Sequence, residues 1–294
     1  MIIDLHIHSK TCSDGNLATE EVIAEAARRK IALMSITDHD SIDCQNRARE
    51  LAHKLGIAYI SGVELNVTFP YGDRSFSLDF LGYGYDIDNR ELSEKLKLLR
   101  KHRETRARLI LEKLNVELTR ENMPKFTGED MASIQSNVDG TLGRPHIADY
   151  LVSKGIVRDR QEAFDKYLVR CDVPKYPLSL TEASSLVRQA GGILVLAHPN
   201  DPNGTSLVNI TEDLSQQTAI IAENMLADID GIECWHSRHD ADTTRYYLRF
   251  AEQHGLMTTG GSDCHQKPII MGTVAVPDRV AAQFGQQKKA TSKS

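Results

Sequence analysis

The sequence predicts an α/β fold, in which parallel strands alternate with helices and the chemistry collects at the carboxyl ends of the strands. Three observations predict it. Short apolar runs of strand length alternate with amphipathic stretches through residues 2–64. Strand-like runs return in the last third of the chain. Almost every one of these runs ends in a histidine or an acid.

The elements follow in order. Residues 2–7 read as a first strand, and Thr19 followed by Glu20, Glu21, Val22 and Ile23 reads as a capped helix start. Residues 32–37 form a second strand that ends at Asp38-His39-Asp40. A helical pattern over 45–55 stops at Gly56, and a third strand covers 58–64. Segments 65–69 and 76–83 flank the turn-rich Pro70-Tyr71-Gly72-Asp73 and read as a hairpin. Residues 92–118 form a long charged helix, and no strand is evident from there to about 178. The expected organisation is therefore an α/β domain made of 1–91 and 179–285, interrupted by a helical insertion at 92–178 that covers the active site. Strands return at 193–197, 231–234 and 256–259. The polar, lysine-rich tail 286–294 is expected to be disordered.

Composition narrows the function. The 294 residues are 40% hydrophobic, enough for a sizeable core, and the net charge of −6 makes tight binding to duplex DNA a poor fit. The five cysteines are scattered and odd in number, which argues against a disulfide framework and for a reducing compartment. No run approaches the length of a membrane span, and the start MIIDLHIHS lacks the basic region of a signal peptide. A cytoplasmic protein with no membrane partner is the expectation.

The strand ends carry the chemistry. The first strand delivers His6 and His8, whose period of two sets both rings on one face. Asp14 follows in a turn, His39 ends the second strand, and Glu64 ends the third. Later come His198, then Asp263 and His265. One histidine is weak evidence, but so many at one structural location suit metal binding. Imidazole with carboxylate favours Zn, Mn or Fe over Mg, and the number of ligands exceeds one coordination sphere. A cluster of two or three ions generates hydroxide and stabilises displacement at phosphorus.

The runs DLHIHSKTCSDGNLATEEVIAEA, ITDHDSI, GVEL, LAHP and GSDCH together resemble the polymerase and histidinol phosphatase (PHP) family, in order and spacing from Met1 to about Val276. The resemblance implies a distorted (β/α)7 barrel with a metal cluster at the strand ends. RPHIADYLVSKGIV and AFDKYLVRCDVPKYP resemble the branch that holds nucleotide phosphatases, cyclic phosphate hydrolases and a 5′-to-3′ oligoribonuclease. By that resemblance His6, His8, Glu64 and Asp263 bind one metal. Asp14, His39 and His265 bind another. Glu64, His198 and a hairpin residue bind a third. Relatives commonly offer histidine at the hairpin position, where this chain has Asp79, and Asp79 is expected to ligate instead. The branch motifs give Arg144, His146 and Arg170 as substrate residues. The arginines would grip phosphate, and His146 would hold phosphate or protonate the leaving group.

Other residues carry milder expectations. Cys12 and Cys264 read as small hydrophobes. Asp38 or Asp40 would orient a ligating ring. His236 and His239 would line the pocket or lie on the surface. Arg103, Arg106 and Arg108 sit with Glu104 at the spacing of a solvated helix face. The expected activity is hydrolysis of a small phosphate ester, nucleotide-like, with divalent Mn, Fe or Zn as cofactor. A cyclic phosphodiesterase, an oligoribonuclease acting on short RNA, and a non-catalytic or polymerase-accessory module are the alternatives. The single Trp gives little capacity to stack bases.

Overall fold

The apolar residues of β1 (Ile2–Ile7) are buried from Ile3 onward, and so are its two polar members, Asp4 and His6. A strand buried on both faces reads as a continuous hydrophobic run, as parallel strands do. The computed structural model describes residues 1–136 and 143–284. In it β1 pairs in parallel with β2 (Ile31–Ile36), which pairs in parallel with the short β3 (Ala58–Tyr59). Helix α1 (Thr19–Arg28) makes the first connection and α2 (Gln45–Lys54) the second. Val22, Ile23 and Ala26 of α1 and Ala48 and Ala52 of α2 recur at helical spacing, and they pack with Ile7, Met34 and Ile36 of the strands.

The third strand differs from its expected extent of 58–64. It stops at Tyr59, and a new strand, β4 (Gly62–Tyr71), starts three residues on and runs into the hairpin with β5 (Arg74–Tyr83). The switch has a local cause. A side chain at Gly62 would stand 2.1 Å from Ser35 Oγ, so only glycine lets the chain pass this close to β2. Gln45 pins the crossing by donating from Nε2 to the carbonyls of Ile36 (2.9 Å) and Gly62 (2.8 Å). Glu64 therefore lies near the start of a ten-residue strand, not at a strand end.

Strands β4, β5, β6 (Ile193–Leu196), β7 (Gly231–His236) and β8 (Met257–Gly261) form the second sheet in that order. The hairpin makes its first two pairings antiparallel, and the last two are parallel. The two sheets touch at both edges. Asp263 N donates to His6 O at 2.8 Å beside the Ile7–Cys264 bridge, and Asp40 N donates to Glu64 O at 2.9 Å beside the His39–Glu64 bridge. The strands thus divide into sheets of three and five joined by single bridges, where a distorted (β/α)7 barrel was expected.

The helical stretch begins with α3 (Arg90–Arg120), 31 residues and so about 45 Å long. Then come α4 (Gly128–Ser136), α5 (Arg144–Ser153) and α6 (Arg160–Ala163), the last running into a π-turn over Phe164–Leu168. Helix α3 belongs to two cores. Leu92, Leu96 and Leu99 pack with the large sheet, and Ile110, Leu111, Leu114 and Leu118 pack with Ile147, Leu151 and Tyr167. The change of core falls inside the helix. Helices α7 (Leu180–Gln189), α8 (Leu214–Asn224) and α9 (Ala241–His254) supply Ala183, Val187, Ile221 and Tyr247 to the core of the large sheet. Among the described residues no helix is long and apolar enough to cross a membrane. The tail 286–294 lies outside the described residues.

Candidate metal centre

Where the two sheets touch, their strand ends bring eight of the nine expected ligands together. Glu64 Oε2 faces three rings, with His8 Nε2 at 3.1 Å, His39 Nδ1 at 3.1 Å and His6 Nε2 at 3.4 Å. Its other oxygen lies 3.1 Å from His198 Nε2. Asp263 Oδ1 faces His265 Nδ1 at 3.2 Å and both His6 Nε2 and His8 Nε2 at 3.4 Å. Asp14 Oδ1 stands 3.4 Å from His265 Nε2 and 3.9 Å from His39 Nε2. Three groups have donor atoms all within 4.8 Å of one another: His6, His8 and Asp263; His6, Glu64 and His198; and His8, Asp14, His39 and His265. Two of the expected ligands sit on strained backbone, His198 at φ 24° and Asp263 at φ 53°, a conformation that packing around a site can hold.

The electrostatics of the cluster fit a cation. Burial disfavours charge on Glu64, Asp14 and Asp263, yet the imidazoles around them hold all three carboxyls well below the usual range. Burial likewise opposes a proton on His6 and His265, but Glu233, Asp263 and Asp14 raise both well above the ordinary value. His198 is pushed up to about 9 against burial, chiefly by Glu64. His39, where burial dominates, falls to about 4. His6 Nε2, His8 Nε2, Glu64 Oε2 and Asp263 Oδ1 are buried without a well-formed hydrogen bond. Buried polar atoms are normally satisfied, and lone pairs converging on one space are satisfied by a metal ion. The mixed imidazole and carboxylate donors suit Zn, Mn or Fe.

Asp79 takes a different place. It is buried on the face opposite Leu78 and Phe80, but its carboxylate accepts from Asn66 Nδ2 at 2.5 Å and joins none of the three groups. Burial first, then Glu64, raises it to about 6, with Lys175 and His198 opposing.

One contributor, Glu233, was not singled out in the sequence. Glu233, in the middle of β7, holds His6 Nδ1 through both oxygens at 3.1 and 3.2 Å and accepts from His198 N at 2.8 Å. His236 is buried, with Nε2 3.5 Å from Asp263 Oδ2, so the surface alternative is excluded for it. His239 is partly buried, and its Nδ1 lies 3.1 Å from Cys234 O. Asp38 binds Ser9 N (2.6 Å) and Ser9 Oγ (2.7 Å), which fixes the loop after β1. Asp40 takes Arg103 at 2.5 Å. Cys12 and Cys264 are buried in the apolar core of the small sheet, as expected of small hydrophobes.

The cluster opens into a cleft of about 570 Å³ whose wall carries Arg103, Arg106, Arg144, Arg160, Lys175 and Arg238. Arg103 and Arg106 are thus not on a solvated face. Each finds an acid distant in sequence, Asp40 or Asp172, which helical spacing alone does not reveal. Arg144 opens α5, lies over the Phe164 ring and pairs with Asp172 at 3.2 Å. His146, one turn in, accepts from Gly143 N at 3.0 Å, and burial lowers it despite the nearby charge of Asp14. Arg170 does not reach the cleft. Its side chain is 56% exposed and bonds Lys166 O and Glu117.

The model of the PHP domain matches residues 4–168. The chain is 32% identical over 277 residues to a 3′,5′-nucleoside bisphosphate phosphatase of Chromobacterium violaceum, covering 90% of this chain and 87% of that one. It is 29% identical over 271 residues to the 5′-3′ exoribonuclease Rnm of Escherichia coli K12, covering 90% and 86%. A solved structure described as a metal-dependent phosphoesterase, from Bifidobacterium adolescentis, superposes with a TM-score of 0.78 at 28% identity, covering 97% of this chain and 96% of that one. With a matching domain model over more than half its length and a relative of this identity and coverage, the chain belongs to the PHP domain family.

Proposed function

We propose that this protein is a metal-dependent phosphoesterase that hydrolyses a phosphomonoester of a nucleotide. One observation carries the reading: a cluster of convergent imidazoles and carboxylates forms the floor of a cleft walled by arginines and lysines. Such a cleft suits a phosphoryl group, which needs cations along its oxygens and a source of hydroxide at its phosphorus. Likeness to a bisphosphate phosphatase and an exoribonuclease supports the same chemistry. The two touching sheets are then a distorted barrel opened by the hairpin. Segment 92–178 is the insertion that supplies most of the cationic wall.

His6, His8, Glu64 and Asp263 would hold one divalent ion. Asp14, His39 and His265 would hold a second, and Glu64 with His198 a third. Mn, Fe or Zn ions bound there would supply Lewis acidity, acidifying water and offsetting phosphoryl charge. The chain's own residues do the rest. Glu233 fixes His6 with Nε2 toward the centre. Arg144, already oriented by Asp172 and Phe164, is placed to grip phosphate oxygens. His146 accepts at Nδ1, so its neutral ring carries the proton on Nε2, where it can hold the phosphate or protonate the leaving oxygen. Phe164 is the sole Phe, Tyr or Trp among the described residues lining the cleft, which favours a single nucleotide over a stacked RNA strand.

The test is phosphate release from nucleoside monophosphates, nucleoside cyclic phosphates and short 5′-phosphorylated RNAs by Mn-loaded protein. Fastest turnover is expected on the mononucleotides, with loss on chelation and recovery on adding Mn. Arg144→Ala should lower kcat/KM by about 10²-fold while Arg170→Ala stays within a few-fold of the parent. Cleavage of RNA alone, or no release with any metal, would overturn the reading.

A further inference from the structure

Strands β1, β2, β6 and β8 each run on into an expected ligand, whereas β7 ends in His236. In a regular strand Glu233 and His236, three residues apart, would face opposite sides. Here the pairing steps from Glu233–Thr259 to Trp235–Gly260, so β7 advances two residues against one of β8. An extra residue of this kind re-aims the side chains that follow it. Cys234 and Trp235 both pack with the core of the large sheet, and Glu233 and His236 both face the imidazoles of the centre. The His236 side chain is fully buried, with its ring centre 5.4 Å from that of His198 and 6.3 Å from that of His6.

The two nitrogens of His236 have different neighbours. Arg238 N donates to Nδ1 at 3.3 Å, so the neutral ring carries its proton on Nε2. Nε2 faces Asp263 Oδ2 at 3.5 Å and is buried without a well-formed hydrogen bond. His6 is the opposite case, since the Glu233 carboxylate accepts from its Nδ1 and leaves a lone pair on Nε2. Asp201, His236 and Asp263 bring donor atoms within 4.8 Å of one another, as a further ion site would. The tautomer argues against such a site, because a nitrogen that carries a proton has no lone pair for a metal. Asp201 is also engaged already, by Arg238 Nη1 at 2.6 Å and by Asn203 N at 2.8 Å. Asp263 divides its oxygens, with Oδ1 toward His6, His8 and His265 and Oδ2 toward His236.

From this geometry we infer that His236 is a positioning residue of the metal centre: its Nε2–H holds Oδ2 of Asp263 and keeps Oδ1 turned to the ion that Asp263 shares with His6 and His8. The inference rests on the reading of Asp263 as a ligand. At 3.5 Å the pair is long for a hydrogen bond, and a small rotation of the carboxylate brings it into range. Closing it satisfies a buried donor that is costly to leave unmatched. The bond from Arg238 N fixes the tautomer of the ring, and the Arg238–Asp201 pair ties that turn to the loop after β6. The direction of one carboxylate at the centre is thereby set by the extra residue in β7 and by the turn behind it.

The experiment uses zinc-loaded protein, because zinc is diamagnetic and suits the donor set. A long-range proton–nitrogen correlation spectrum of the nitrogen-labelled parent reads the tautomer, and His236 should carry its proton on Nε2. The spectrum needs no variant, so it stands even where a variant fails to fold. Zinc affinity is then measured by competition with a chromophoric chelator for the parent, His236→Gln and His236→Leu. The leucine variant should bind the ion at Asp263 about 10–100-fold more weakly. The glutamine variant, whose amide can donate from the place of Nε2, should recover most of that loss. All three should hold the same number of zinc ions at saturation. A bare Nε2, equal weakening in both variants, or parental affinity in His236→Leu overturns the positioning role. Loss of a zinc ion from both variants at saturation makes His236 a ligand and overturns it too. A parent that takes up no zinc removes the centre itself, whereas a metallated parent matched by His236→Leu removes the role of His236 alone. Phosphate release from nucleoside monophosphates is scored on the same samples, and the expected affinities without release remove the phosphoesterase reading while keeping the role of His236.

Discussion

A histidine offers a metal one nitrogen at a time, and the partner of the other nitrogen decides which. For His6 that partner is Glu233, whose oxygens lie 3.1 and 3.2 Å from Nδ1 and leave Nε2 facing Glu64 and Asp263. Glu233 is fully buried and also accepts from the backbone of His198, so one carboxylate positions two of the proposed ligands. Glu233→Gln should weaken metal affinity by about 10–100-fold, read by competition with a chromophoric chelator. An unchanged affinity would mean that the ring needs no such partner. Residues of this kind set the limit of what the sequence discloses. The proposed ligands His6, His8, Asp14, His39, Glu64, His198, Asp263 and His265 stand out in the sequence because they fall within or after short apolar runs of strand length. Glu233 sits mid-strand in an apolar run, where its charge was the one available signal. Arg103 and Arg106 depend on partners 63 and 66 residues away, and local spacing says nothing of those. Asp79 is expected from its family position to ligate, whereas its neighbour across the hairpin, Asn66, is fixed by register, which alternation along one strand does not reveal.

Among the elements, β8 passes close against β1. A side chain at Gly261 would meet His6 N at 2.4 Å and His6 Cβ at 2.5 Å, both atoms that cannot turn aside. The glycine allows the Asp263 N to His6 O bond of 2.8 Å to form, and with it the approach of Asp263 to the imidazoles of β1. Gly261→Ala must push the two strands apart. Overpacking of this type costs about 1–3 kcal/mol, and here it also separates ligands contributed by different sheets. The variant should therefore lose metal affinity along with thermal stability, measured by metal analysis and a melting curve on the same sample. A variant destabilised but fully metallated would show that the centre tolerates movement of β8. Element starts were legible where local signals decide them, as in α1 and α2. The break between β3 and β4 was not, because it follows from the contact of Gly62 with β2, and so it is set by tertiary packing.

For the whole molecule, the centre is where the two sheets depend on one another. Glu64, Asp263 and Glu233 bring three carboxylates into the interior of a chain already at net charge −6, and each is charged against the penalty of burial. In metal-free protein the compensating charge has to come from protonated imidazoles. His6 and His265 are raised well above their ordinary value and His198 to about 9. The sign follows from linkage. A raised histidine contributes stability in full below its unfolded value near 6.5, and that contribution is lost as pH rises through the folded value. Metal-free protein should therefore weaken on the alkaline side, progressively to about pH 9 and beyond. Metal ions replace those protons, and their binding strengthens as ligands deprotonate. At a hundredfold excess over Kd one ion adds about 2.7 kcal/mol, and a chain of this size gains about 2–4 °C in Tm per kcal/mol. Chelation should thus lower Tm by about 5 °C or more near neutral pH. The gap between loaded and chelated protein should widen from pH 6.5 to pH 9.5. Melting curves of both forms across that range decide the matter. A gap that is constant or narrows with pH would show that the buried histidines do not stand in for the metal charge.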